Sequence, residues 1–160
     1  MSIWQRFLGR PVVPTRRDRH DYRVADVAGT WTRTIVGSSP YEQAVNNLPL
    51  GPVSVTLHLE QRGSDTHAVA AYVGEDQVGW LATQRSFIES RLASGFLWRD
   101  PTVTWMTKLD AAGIRPRVQG SLRVAGDPGK RLIKIDFPGR NDPNLSAIAA
   151  ELIKAGPKRA

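Results

Sequence analysis

Hydrophobic and polar residues alternate over long stretches of this chain, and that pattern is typical of a protein built mainly of β-strands. In residues 53–59, aliphatic residues on one face alternate with polar residues on the other. The aliphatic residues are Val53, Val55, Leu57 and Leu59. A β-branched run at 30–36 predicts an earlier strand, and Thr102 to Lys108 is a further strand candidate.

Two hairpins are predicted. In the first, residues 67–73 and 77–81 form strands around a polar turn at 74–76. Gly79 lies inside the second of these strands and indicates a bulge or a close backbone approach, which would turn Trp80 out of the sheet register. The second hairpin joins 116–125 to 130–137.

The second hairpin has one basic face. Its inward residues are predicted to be Val118, Leu122, Val124, Ile133, Ile135 and Phe137. The opposite, exposed face then collects Arg115, Arg117, Arg123 and Lys134. These four cations are candidates for phosphate contact, and a solvated charged surface is the alternative.

Three helices complete the prediction. Ser39, Pro40 and Glu42 have the pattern of a capping box, and the helix they start would bury Tyr41 and Val45. A second helix is predicted from Thr83 to Gly95. A third begins after Asn141 or Asp142 and ends before Gly156 and Pro157. Its apolar stripe is Leu145, Ile148, Ala149, Leu152 and Ile153.

These elements predict a mainly β protein with minor α content: a small barrel of about six strands with two short helices and a C-terminal helix. With 160 residues, the chain allows one domain plus tails. Residues 1–23 are predicted to be a flexible basic segment, 24–140 the barrel domain, and 141–160 the C-terminal helix and a basic tail.

Composition excludes several kinds of site. The chain has no cysteine, so disulfides, zinc–thiolate sites and a cysteine nucleophile are excluded. Its three histidines are too dispersed to predict a metal site, and no cofactor is expected. No apolar run approaches the roughly 20 residues that span a bilayer, and the N-terminus does not have the pattern of a secretory signal. We therefore expect a cytoplasmic protein.

The charge is unevenly distributed. The formal net charge is +7, but residues 1–23 hold six Arg against two Asp, and residues 154–160 hold three further cations. The span between them is neutral overall. Within it, residues 115–140 carry seven basic and two acidic residues, which indicates one basic element. For the N-terminal arginines, a disordered tail is favoured over phosphate contact or anchoring at an anionic membrane.

No catalytic constellation is apparent. The Glu75–Asp76 pair lies in a turn, no Ser-His-Asp grouping can be argued, and 126–129 is a turn instead of a phosphate-binding loop. The chain is therefore not expected to be an enzyme by itself.

Several motifs follow one another over residues 31–93. They are Val36-Gly37, a capped helix with Tyr41, the strand 53–59, an acidic loop, His67-Ala-Val and Gln77-Val-Gly-Trp-Leu81. Their order resembles that of the HIRAN domain family. The resemblance implies a small SH3/OB-like barrel that binds single-stranded DNA, and in helicase-associated members a free 3′ end. A protein partner such as a helicase or nuclease is a separate expectation, on which the sequence itself is silent.

The resemblance assigns candidate positions. Asp65 matches the loop aspartate that faces the terminal 3′-hydroxyl in end-binding members. His67 stands where the family usually has Asn, and Trp80 stands at an aromatic or His position. Gly63-Ser64 replaces the family's Pro-Tyr pair, and Ser39-Pro40 replaces an Arg-Tyr pair, which leaves Tyr41 as the nearest aromatic residue.

Each candidate also has a purely structural interpretation. Tyr41 and Trp80 are candidates for base stacking or for the core, Asp65 for a ribose contact or a turn cap, and His67 for a ligand contact or an edge polar residue. The functional hypothesis is a DNA-binding module. The alternative is a protein-interaction adaptor or peripheral scaffold on the same barrel.

Overall fold

The structure is a computed structural model, and it describes residues 22–63, 65–82, 101–126, 129–139 and 142–156. For residues 65, 66 and 142 it describes the backbone alone. The predicted helix from Thr83 to Gly95 and most of the predicted basic N-terminal segment also lie outside the described residues.

Seven strands form one sheet within the described residues. They are β1 (Arg23–Asp26), β2 (Trp31–Val36), β3 (Gly51–Arg62), β4 (Asp65–Val73), β5 (Asp76–Leu81), β6 (Ile114–Ala125) and β7 (Lys130–Phe137). The strand order is β1-β6-β3-β4-β5-β2-β7, and a further pairing of β6 with β7 closes six antiparallel strands into a barrel. β1 lies outside this ring and pairs in parallel with β6. The predicted mainly β barrel is confirmed.

Three short α-helices accompany the described strands. A 3-10 turn at Ser39–Tyr41 leads into α1 (Glu42–Asn46), and α2 (Pro101–Ala111) and α3 (Asp142–Ala155) follow later in the chain. Each helix places apolar side chains in the barrel core. Val45 comes from α1, Trp105 and Leu109 from α2, and Leu145 and Ala149 from α3. The α3 stripe is therefore confirmed, apart from Ile153, which is 42% exposed.

The strand predicted at Thr102 to Lys108 is wrong, because this segment is the middle of α2. Pro101 occupies the first helical position, where its missing N–H costs nothing. The buried residues are Thr102, Trp105, Met106, Leu109 and Asp110. Their spacing of three, one, three and one residues follows the helical period, so the surrounding β-branched residues gave the wrong indication.

Two local predictions also need correction. Ser39 does not cap α1: it lies in the 3-10 turn, Tyr41 is the N-cap residue, and neither helix start has a side-chain cap hydrogen bond. Val124 was predicted to face the core but is 49% exposed. It lies opposite Arg131 near the end of the β6–β7 hairpin. There the side chains still alternate between the two faces, but those on the inner face no longer contact the core.

The first strand takes in Arg23, which the sequence placed in the flexible segment. Tyr22 is buried, and its hydroxyl donates a hydrogen bond of 2.6 Å to Asp110 at the end of α2. Arg23 donates a hydrogen bond of 2.9 Å from its Nη2 to the carbonyl of Leu152 in α3. These contacts fix the start of the fold against its last two helices.

The hairpin β4–β5 contains the predicted bulge. Ala71 pairs with Gly79 and Tyr72 with Gln77, so one extra residue of β5 is accommodated between them. Gly79 has φ +151°, and a Cβ there would lie 2.7 Å from both Ile35 Cγ2 and the Val36 carbonyl oxygen. The close approach to β2 brings the next residue, Trp80, beside Val36 on the outer surface.

Candidate nucleic-acid interface

A continuous row of outward positions crosses the barrel from β5 to β6. Trp80 pairs with Val36, Thr34 on the same strand pairs with Lys134, and Lys134 pairs with Ser121. Arg123 follows two residues after Ser121, on the same face. We call Trp80, Val36, Thr34, Lys134, Ser121 and Arg123 the outer-wall path. It spans three strand spacings, or about 14 Å between its first and last strands.

An arginine covers the aromatic end of this path. The Arg62 guanidinium carbon lies 5.0 Å from the centre of the Trp80 ring, a distance suited to a cation–π interaction. Arg62 is exposed, whereas Trp80 is 7% exposed. Gly37, with φ +65°, lies behind both side chains, since a Cβ there would be 2.7 Å from Arg62 Nη2. The path therefore begins with an accessible cation stacked on an indole ring.

Trp80 also belongs to a small cluster on the outside of the barrel. Ala68, Ala70, Tyr72 and Trp80 are buried together, and Tyr41 is half-buried against them. The predicted burial of Tyr41 is thus partial, and its neighbours lie in this outer cluster and not in the barrel core. The structure brings Tyr41 and Trp80 together, as the sequence predicted for one site.

The two remaining loop candidates lie at the start of β4. The backbone of Asp65 pairs with that of Arg62, the arginine that covers Trp80, so the two residues lie side by side in the sheet. His67 is exposed and takes part in an interaction of its own. Both residues therefore belong to the same hairpin as Trp80, at the end where β3 turns into β4.

Arg115 does not lie on an exposed basic face as predicted. It is 6% exposed, and its guanidinium carbon lies 5.4 Å from the centre of the Tyr72 ring. The alternation correctly placed it on the outer surface of β6, but β1 lies alongside this part of the strand. A cation buried in this way serves the packing of the wall, and we remove it from the phosphate-contact set.

Arg117 is engaged in an ion pair. Its Nε and Nη2 atoms donate hydrogen bonds of 2.6 and 2.9 Å to the two carboxylate oxygens of Asp26 on β1. The hydrogen bonds, and then the positive charge, lower the pKa of Asp26, while the carboxylate raises the pKa of Arg117. This bidentate ion pair links β1 to β6. It also partly neutralises the positive charge of Arg117, which weakens the attraction of Arg117 for a phosphate ligand.

Arg123 and Lys134 are both exposed, as predicted, and Lys130 extends their surface toward the hairpin turn. Asp136 on β7 also points outward and is exposed. The basic face thus consists of Arg123, Lys130 and Lys134, and it is one part of the outer wall. Arg115 and Arg117 lie on the part of β6 that β1 borders.

A polar network on the outer wall escaped the sequence interpretation. The Tyr72 hydroxyl donates to Glu60 Oε2, and His58 Nδ1 lies 3.2 Å from the same oxygen. Tyr22 packs edge-on against the His58 ring, with centroids 4.7 Å apart. The alternation of residues 53–59 correctly places His58 on the outer face. Its burial depends on Tyr22, which lies more than thirty residues earlier in the chain, so a local sequence pattern could not predict it.

Comparison with known proteins adds no relationship: no family model, no curated protein and no solved structure matches this chain. Among the described residues, no group of three or more His, Asp or Glu side chains is arranged to hold a metal ion. In the same part of the chain, no helix is both long and apolar enough to cross a membrane.

Proposed function

We propose that the barrel is a nucleic-acid-binding module of the HIRAN type that contacts single-stranded DNA or DNA ends through the outer-wall path and is not catalytic by itself. The observation that carries the proposal is the path itself. Its one end has Arg62 stacked on Trp80, and its other end has the exposed cations Lys134 and Arg123. Cations bind phosphates of any sequence, and an aromatic ring beside them accepts unpaired bases.

The geometry of the path favours a single strand as ligand. Between Arg62 and Lys134 the path consists of Trp80, the exposed Val36 and the half-buried Thr34, and none of these three residues is charged. A flexible strand can follow such a curved wall and turn a base toward Trp80, which requires Arg62 to move from the ring. A duplex keeps its bases stacked and meets the cations alone.

The resemblance to HIRAN domains adds the strand end to this ligand. It assigns the terminal 3′-hydroxyl to Asp65, and Asp65 adjoins Arg62 in the β3–β4 pairing. A helicase or nuclease is the protein partner that we would expect for such a module. We include both in the proposal, with Tyr41 and His67 as neighbouring contacts.

The charge contribution is tested with the double variant R123A/K134A. We expect weaker binding of a labelled single strand, and a slope of log affinity against log salt that is smaller by about 1.4 for two lost phosphate contacts. Fluorescence anisotropy in a salt series measures both. The matched control is K108A/K154A, which removes two exposed cations from α2 and α3. Equal losses in both variants would contradict a localised interface.

The ligand class is tested by comparing strands that differ only at the end. A single strand with a 3′-hydroxyl should bind more tightly than the same strand with a 3′-phosphate, and D65N should remove the difference. A duplex should bind least. Equal binding of all three would leave charge contact and remove end recognition from the proposal, and no binding at low salt would refute it altogether.

The basic segment before the barrel needs its own control. Residues 1–21 contain five arginines, and their replacement by glutamine leaves the barrel sequence unchanged. Retained binding in this variant assigns the affinity to the outer wall. Complete loss assigns it to the segment and contradicts the proposed site.

A further inference from the structure

The outer strand β1 has an open edge. Arg23 N–H donates to the Gly113 carbonyl and Val27 N–H to the Arg117 carbonyl, so alternate residues direct their backbone groups to β6. The N–H and C=O groups of Val24 and Asp26 consequently point away from β6. Among the residues that the structure describes, no strand lies on that side. Such an edge is a template for a further strand.

A groove continues from this edge. It has a volume of about 420 Å³ and runs between Asp26, Val27 and Ala28 on one side and α3 on the other. The α3 wall is formed by Ala147, Ile148, Glu151 and Leu152. A strand added to β1 would direct its inward side chains over this helix. An added strand would therefore find hydrogen-bonding groups along β1 and a helix wall beneath its inward side chains.

The edge is complementary to itself. If two β1 strands pair antiparallel about a two-fold axis at Ala25, Val24 of each copy meets Asp26 of the other, and their open backbone groups form four hydrogen bonds. Ala25, a small residue, then lies at the axis. Val24, which is 43% exposed, becomes covered by the second copy. This is the one two-fold register in which the open groups of both Val24 and Asp26 find partners within β1 itself.

The same register produces charge complementarity. Arg23 of the second copy comes opposite Val27, at the groove that Glu151 borders. Glu151 is exposed. The Arg23 guanidinium of the second copy would reach it on the inner side of the added strand with the N–H groups that its bond to its own Leu152 carbonyl does not use. We infer that β1 and the α3 groove form a homodimer interface in which the two barrels share one extended sheet.

Sedimentation velocity of the full chain from low to high micromolar concentration tests the inference. We expect a monomer–dimer equilibrium for the wild type and for V24A, which keeps the backbone N–H. V24P should be monomeric over the same range, because proline removes a donor that faces the open edge and that β6 does not use. A wild type that stays monomeric, as expected if the edge instead receives a foreign peptide, overturns the inference.

Two further variants keep the test decisive if V24P is misfolded by circular dichroism. E151K changes an exposed side chain and should weaken dimerisation at least tenfold. A25C should form an intermolecular disulfide under mild oxidation, since facing residues in the non-hydrogen-bonded position have Cα atoms about 4.5 Å apart, within disulfide range. A dimer that is unaffected by E151K and not cross-linked through A25C contradicts this interface.

Discussion

Gly79 shows how one residue determines the course of a strand. Replacement by alanine places a methyl group 2.7 Å from Ile35 Cγ2 and from the Val36 carbonyl oxygen, at φ +151°. We expect G79A to lower the free energy of unfolding by about 1–3 kcal/mol through overpacking, with backbone strain in addition. Urea denaturation measures the change.

Gly74 provides the matched comparison for this variant. It has φ +62° in the β4–β5 turn, and a Cβ there would have no neighbour within 4 Å. G74A should therefore cost only the conformational term, about 1–2 kcal/mol. If G79A is no more destabilising than G74A, the close approach of β5 to β2 is not under steric control.

The Asp26–Arg117 pair predicts a pH dependence. Because Arg117 lowers the pKa of Asp26 in the folded protein, the pair stabilises the fold above the unfolded-state pKa of about 3.9. That contribution is lost as the pH falls through the lowered folded-state pKa. D26N should therefore be less stable than the wild type at neutral pH, with the difference disappearing in acid.

Urea denaturation of both proteins at neutral pH and at successively lower pH values measures this dependence. A difference between D26N and the wild type that persists unchanged in acid would show that packing, and not the ion pair, carries the effect. The pair is exposed, so the difference at neutral pH should be small and should decrease in high salt.

At the scale of single residues, the sequence correctly predicted which face of a strand a side chain lies on. It predicted less well whether that side chain is exposed to solvent. Arg123 and Lys134 are exposed as predicted, and Arg115 on the same side of β6 is buried. The Arg115 guanidinium lies over the Tyr72 ring of β4, more than forty residues earlier in the chain, and β1 borders the same part of β6. Alternation within a strand contains no information about such a neighbour.

Among the elements, α2 supplies Trp105, the largest fully buried side chain of the described residues. Trp105 is 1% exposed and packs edge-on against Phe137 with centroids 5.3 Å apart. W105A should lower the free energy of unfolding by about 3–5 kcal/mol, because neighbouring side chains fill the cavity only in part. Thermal or urea denaturation checks the value.

The control for this variant is K108A, one turn later on the exposed side of α2. It should change the free energy of unfolding by no more than about 0.5 kcal/mol. A W105A protein as stable as K108A would mean that α2 does not close the core in solution.

The hairpins and the C-terminal helix were predictable because their signals are local: strand alternation, turn glycines, and an apolar stripe with a proline start. The α2 segment was not, since Thr102, Val103, Thr104 and Thr107 have β-branched side chains that favour strands. Tertiary packing of Trp105 and Leu109 outweighs that preference, which amounts to a few tenths of a kcal/mol per residue.

For the whole molecule, a barrel of about six strands could be predicted from the number and length of alternating segments. Its closure could not, because it requires β6 to pair with β3 through residues 117–122 and with β7 through residues 120–125. The candidate site was likewise predictable from the sequence only in part. Tyr41 and Trp80 were predicted from local motifs, whereas Arg62 joins them because its long side chain reaches the Trp80 ring from the end of β3, with β4 between the two strands in the sheet.

The hydrogen bond from Arg23 to Leu152 joins two residues that are 129 positions apart. During synthesis, β1 therefore leaves the ribosome long before the helix that covers it exists, and its pairing strand β6 is also still to be made. The β3–β4–β5 meander can form first from local contacts. We expect the N-terminal strand to be among the last to be placed, and until that moment the edge that will pair with β6 is also open to chaperones.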